Sequence, residues 1–211
     1  MNVHVLPAGP IQTNAYLVTD PASGGAVLID APDGVWPMVE PILRKEGCRL
    51  SALWLTHGHW DHTQGAAEVA RRSGAPILAH RADRPMIETP EVMRPLIIPG
   101  LVVEPAKVDR WIEDGETLDA LGETVRVGHV PGHAPGSLMF YFPRAASAFV
   151  GDALFKGSIG RTDLPGGDFD QLENSIRTCI YTLPDATAVF PGHGAPTTVG
   201  AEKATNPHVR P

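Results

Sequence analysis

The chain has 211 residues, of which 43% are hydrophobic and 19% charged, a balance that suits one globular domain and excludes a disordered chain. Lys and Arg number 17 against 24 Asp and Glu, and the net charge of −7 argues against a dedicated nucleic-acid binder, because neutralising phosphate needs a basic surface. Apolar runs such as residues 26–29 and 96–98 are far too short to cross a bilayer, and residues 1–7 lack the basic and apolar segments of a secretory signal. A cytoplasmic protein with no membrane or nucleic-acid partner is therefore expected, with Cys48 and Cys179 as reduced thiols.

In chain order, residues 3–6, 14–19 and 26–30 read as short strands punctuated by Pro and Gly. Residues 35–45 carry Val35, Met38, Val39, Ile42 and Leu43 at helical spacing, with Gly47 as the stop. A strand over 52–56 leads into the dense segment 57–62, after which Thr63 is expected to cap a helix over 64–73. Residues 76–79 form another strand, and the Pro-rich stretch 81–111 is a long loop or a set of broken helices. Strands resume at 124–130, 138–142 and 148–150. A helix over 168–183 presents Leu172, Ile176, Cys179 and Ile180 inward, and a last strand covers 186–190. The 18 residues after His193 have room for a turn and one short helix, and no linker divides the chain, so residues 1–211 are expected as a single domain.

Three sites share one pattern, an apolar strand followed by a tight turn and a histidine: Leu53–Thr56 before His57, Val125–Val127 before His133, and Val189–Phe190 before His193. A fourth strand, 148–150, runs through Gly151 into Asp152. Strands lying side by side would bring His57, His59, Asp61, His62, His133, Asp152 and His193 to one edge. Five protonated imidazoles would repel one another there, whereas neutral imidazoles and carboxylates are ligands that divalent cations favour. Seven ligands are too many for one tetrahedral ion and suit two. Alternation points His57 and His59 towards one ion, and Asp61 and His62, at the turn into the helix, towards the other. For His4, His80, His129 and His208, ordinary core or surface roles are expected.

The segment Thr56-His57-Gly58-His59-Trp60-Asp61-His62 resembles the HxHxDH signature of the metallo-β-lactamase superfamily, and Gly132-His133, Gly151-Asp152 and Gly192-His193 follow in that family's order. The resemblance spans nearly the whole chain. It implies an α/β fold, the four-layer αββα sandwich. It also implies two divalent metal ions, zinc before iron or manganese: His57, His59 and His133 would hold the first, Asp61, His62 and His193 the second, and Asp152 would bridge them. Residues 151–163 further resemble the compact bacterial members of the glyoxalase II branch, the hydroxyacylglutathione hydrolases. That resemblance implies a small-molecule thioester substrate such as S-D-lactoylglutathione, attack by a metal-bridging hydroxide, Asp61 and Asp152 as catalytic carboxylates, and Arg161 as a substrate contact. The family's nearby tyrosine is replaced by Asp163, and the helical glutathione-binding domain of the larger enzymes is not expected in so short a tail. The rival readings are a persulfide dioxygenase with one iron, a lactonase or β-lactamase, and a metal-stabilised module without activity.

Overall fold

In the computed structural model, which describes residues 1–211, the chain contacts divide into two units, Met1–Ile112 with Ala120–Gly122, and Glu113–Asp119 with Glu123–Pro211.

The first unit is built on a six-stranded sheet. Strand β2 (Thr13–Asp20) pairs antiparallel with both β1 (Asn2–Ala8) and β3 (Gly25–Ile29). Helix α1 (Trp36–Glu46) then returns the chain to β4 (Arg49–Trp54), parallel to β3. Helices α2 (Trp60–Thr63) and α3 (Ala66–Ser73) lead to β5 (Ile77–His80), and α4 (Arg84–Glu88), flanked by short 3-10 turns, precedes β6 (Arg110–Ile112). The order across the sheet is that of the sequence, β1 to β6, with β3 to β6 all parallel. Such strands need crossovers, and their carboxyl ends therefore share one edge.

Helix α1 begins beside Pro37, whose missing N–H costs nothing in a first turn, carries Arg44 and Lys45 in its last turn, and closes on Gly47 at φ 65°. It buries Trp36, Val39 and Leu43 against Leu17, Leu28 and Leu53 of the sheet. Met38, expected on that face, is exposed, whereas Trp36 is buried. The helix expected over 64–73 is α3, starting two residues later, and a separate short helix α2 forms just before it. Thr63 lies inside α2 and donates its hydroxyl to the His59 carbonyl at 3.1 Å, so it is not a cap. Gly65 stands at the joint because a Cβ there would sit 2.5 Å from the Pro32 carbonyl oxygen. The stretch 81–111 is the set of broken helices and extended chain that its prolines imply.

The second unit holds β7 (Thr117–Ala120), β8 (Glu123–His129), β9 (Leu138–Phe142) and β10 (Ser147–Gly151), and a small hairpin of β11 (Leu154–Phe155) and β12 (Ser158–Ile159). Then come α5 (Phe169–Ser175), β13 (Ala188–Pro191), β14 (Thr197–Thr198) and α6 (Val199–Thr205). The sheet order is β14-β13-β10-β9-β8-β7. Strand β10 is parallel to β13, and β9 is antiparallel to both β8 and β10, so β8, β10 and β13 run the same way and end at the same edge. The helix expected over 168–183 is α5 running into a π-helical turn at Ile176–Ile180. Asp168 caps it by accepting the Gln171 N–H at 2.9 Å, and Leu172, Ile176 and Ile180 are fully buried while Cys179 is half-buried. No helix is long and apolar enough to cross a membrane.

One core defect is testable. Thr187 is fully buried, and its hydroxyl oxygen has no hydrogen-bond partner. Valine has the same shape without the desolvated hydroxyl, so Thr187→Val should raise stability by about 1 kcal/mol in denaturant unfolding.

Candidate metal centre

Asp30 follows the last residue of β3 in the left-handed conformation, φ 60°, which Asp tolerates better than most residues. The side chain is buried and faces the end of the neighbouring strand β4. Its Oδ1 accepts the Thr56 N–H and its Oδ2 the Thr56 hydroxyl, each at 2.7 Å. The same Oδ2 accepts Nδ1–H of His62 at 2.8 Å. One carboxylate thus ties the first residue of the His-rich segment to its last. Because Nδ1 of His62 carries the proton, Nε2 presents the lone pair, the form of imidazole that binds a metal.

The remaining donors of this unit are fixed in similar ways. Thr13 of β2 donates its hydroxyl to Asp61 Oδ2 at 2.7 Å, and that oxygen stands 3.3 Å from His62 Nε2. The His57 ring lies 4.8 Å from that of His59 and 4.1 Å from that of His62, centroid to centroid. Between the histidines, Gly58 donates its N–H to Asp83 Oδ2 at 2.7 Å, and a Cβ on Gly58 would sit 2.9 Å from the Asp83 Cβ. All four donors, His57, His59, Asp61 and His62, are buried.

In the second unit, His133, Asp152 and His193 emerge from the like-directed ends of β8, β10 and β13. The Gly192 N–H donates to the Gly151 carbonyl at 2.8 Å and holds two of these exits together. His133 Nε2 and His193 Nε2 are each 3.6 Å from Asp152 Oδ2. That is too long for a hydrogen bond. It is close to the separation of about 3.4 Å between two tetrahedral ligands bound to one zinc-sized ion at about 2.1 Å. His133 Nδ1 donates to the Arg161 carbonyl at 2.8 Å, which again leaves the lone pair on Nε2. Gly160 permits this approach: a Cβ there would meet the Asp152 carbonyl oxygen at 1.9 Å and His133 Nδ1 at 3.0 Å.

Arg161 lies beside the donors through its main chain, while its guanidinium is exposed and grips Asp163 with two hydrogen bonds of 2.7 and 2.8 Å. That guanidinium holds the Asp163 carboxyl down at about 2. His4 pairs with Glu46, His80 accepts the Ala82 N–H, and His129 donates to the Pro135 carbonyl. Burial pushes the Cys48 and Cys179 thiols up, so both are poor nucleophiles.

Sequence reasoning did not single out Asp30, Thr13, Asp83 or the Arg161 carbonyl. Asp30 left a trace, a charged residue closing the run Val27-Leu28-Ile29; the other three left none.

The sequence model of the metallo-β-lactamase superfamily matches residues 8–193. The chain belongs to that superfamily and is a hydrolase of its fold, with His and Asp side chains fit for divalent metal ions. Among curated proteins it is 35% identical to hydroxyacylglutathione hydrolase GloC of Haemophilus influenzae, over 98% of this chain and 97% of that one. Among solved structures it is similar to the B3 metallo-β-lactamase BLEG-1, with a TM-score of 0.90, 36% identity and 98% of both chains covered. It is also similar to TTHA1623 in a di-iron-bound form, with a TM-score of 0.85, 38% identity, and 97% of this chain and 99% of that one covered.

Asp30→Asn keeps the volume but replaces one acceptor oxygen by an amide donor, so Thr56 or His62 loses its bond. Zinc affinity, read by chelator competition, should fall about tenfold or more while the fold remains.

Proposed function

We propose that the chain is a thioester hydrolase of the hydroxyacylglutathione hydrolase type, working in the cytoplasm on a small thioester such as S-D-lactoylglutathione. The observation that carries the substrate class is the 35% identity to GloC across nearly all of both chains. In this reading seven side chains hold two divalent ions, with zinc the first candidate and iron or manganese the others. His57, His59 and His133 serve one ion, Asp61, His62 and His193 the other, and Asp152 both. Such ions, when bound, supply a Lewis acid for the carbonyl oxygen and a water ionised near neutral pH.

The chain's own part is positional. Thr13 holds the Asp61 carboxylate in a fixed orientation, which supports its role in orienting the attacking water. Asp30 and the Arg161 carbonyl fix the orientation of His62 and His133 and take the Nδ1–H of each, so that Nε2 is left to face a metal. The leaving group is a thiol of pKa about 8.5, which departs as thiolate without a protonated side chain beside it.

Arg161 is the residue proposed to contact the substrate. Its exposed pairing with Asp163 supports a swap in which a substrate carboxylate displaces Asp163, since surface ion pairs are weakly held. The swap makes two predictions of opposite sign. Arg161→Ala should raise KM for S-D-lactoylglutathione about two- to fivefold, and Asp163→Asn should lower it by a similar factor, both with kcat little changed. Steady-state kinetics of the zinc-loaded proteins checks this. Unchanged KM in both variants removes Arg161 from the substrate site, and no turnover in the parent overturns the substrate class.

A second reading, hydrolysis of a β-lactam, is favoured by the likeness to BLEG-1. Turnover of a β-lactam faster than of the thioester would select it. Oxygen uptake with one iron per chain would select the persulfide dioxygenase.

A further inference from the structure

The tail helix α6 carries a buried carboxylate that no part of the proposed reaction uses. Glu202 is 2% exposed and Asn206 fully buried. Glu202 Oε1 accepts the Thr197 hydroxyl at 2.6 Å. Its Oε2 accepts the Gly157 N–H at 2.9 Å and the Asn206 amide, also at 2.9 Å. The Asn206 amide donates as well to the Ser158 carbonyl at 3.0 Å. Its orientation is set by the His208 N–H, which donates to Asn206 Oδ1 at 3.0 Å.

Gly157 and Ser158 form the turn and return of the β11–β12 hairpin, whose pairs are Leu154 with Ile159 and Phe155 with Ser158. Both backbone groups that the clamp takes, one N–H and one C=O, belong to this hairpin. A buried carboxylate is costly unless its lone pairs are filled, and here three donors fill them. Two hydrogen bonds from these buried side chains, one to the Gly157 N–H and one to the Ser158 carbonyl, fix the position of the hairpin.

The hairpin connects two parts of the donor set. It starts two residues after Asp152 and ends two residues before Arg161, whose carbonyl holds His133 Nδ1. Its Phe155 ring packs edge-on against His193, with centroids 6.3 Å apart. The hairpin therefore bears on all three donors of the second unit.

We infer that Glu202 and Asn206 are positioning residues for the metal centre: the tail helix clamps the hairpin, and the hairpin sets His133, Asp152 and His193. The inference rests on the proposed metal role of those three side chains. It assigns the C-terminal segment a part in metal affinity, where a bare structural role would assign it stability alone.

The test uses the full-length chain and two metals as probes. Glu202→Gln keeps the shape of the side chain but puts an amide N–H₂ where an oxygen accepts donors, so part of the clamp is lost. Zinc affinity of the folded variant, by chelator competition, should fall about tenfold or more, the loss typical of groups that orient a metal's ligands. The visible absorption of the cobalt-loaded variant, which reports ligand geometry, should shift in position or intensity. A lower melting temperature with unchanged zinc affinity and a superimposable cobalt spectrum overturns the inference. Should Glu202→Gln fail to fold, Thr197→Val decides: it removes a single donor, and a zinc affinity reduced at least threefold supports the clamp, whereas an unchanged one overturns it. A parent protein that takes up neither metal overturns the site reading and the clamp together; a parent and variant that bind equally well overturn the clamp alone.

Discussion

An imidazole can offer a lone pair to a cation only from a nitrogen without a proton, and only where the ring is held still. The bond at the opposite nitrogen does both jobs. His62 has that bond from the Asp30 carboxylate and His133 from the Arg161 carbonyl, both at 2.8 Å. Much of the local architecture follows from keeping those two acceptors in place. Asp30 needs the left-handed backbone at the end of β3 and the neighbouring end of β4. The Arg161 carbonyl needs Gly160, since any side chain there would collide with the Asp152 main chain.

Strand direction does the rest. In the second unit the donors leave from strands that run the same way, β8, β10 and β13, and in the first all four follow β4, parallel to the neighbouring β3 that leads into Asp30. Like-directed strands end at one edge, so donors far apart in sequence become neighbours without any long excursion of the chain. Glycines at the exits allow the tight turns: a Cβ on Gly132 would lie 2.2 Å from the Leu172 nitrogen, and on Gly58 it would press on Asp83. The overlap of these demands explains why so much Gly and Asp stands at strand ends.

Of the proposed donors, His57, His133, Asp152 and His193 are legible in the sequence because each follows an apolar strand and a turn, and His59, Asp61 and His62 because they complete the HxHxDH spacing, both local patterns. What supports them is not. Asp30 is 32 residues from His62, Thr13 is 48 from Asp61, Asp83 is 25 from Gly58, and Glu202 is 45 from Gly157. A contact across such distances leaves no periodicity to read. The same limit explains the misplaced details of the helices. Thr63 has the chemistry of a cap, but helix α2 starts four residues earlier, after His59, and Gly65 makes the joint because of Pro32, which lies in another loop. Strands β6, β7 and β14, of three, four and two residues, are too short to show alternation. The sheet topology that they complete was therefore read only in outline, whereas the long helix α1 and the strands of the core were read nearly to their ends.

The proposed function needs the seven His and Asp side chains to hold two ions together. Elemental analysis of the purified chain, equilibrated with zinc and freed of loosely bound ions, tests it most directly. Two zinc ions per chain are expected. A limit of one ion, or none, at saturating zinc would contradict it.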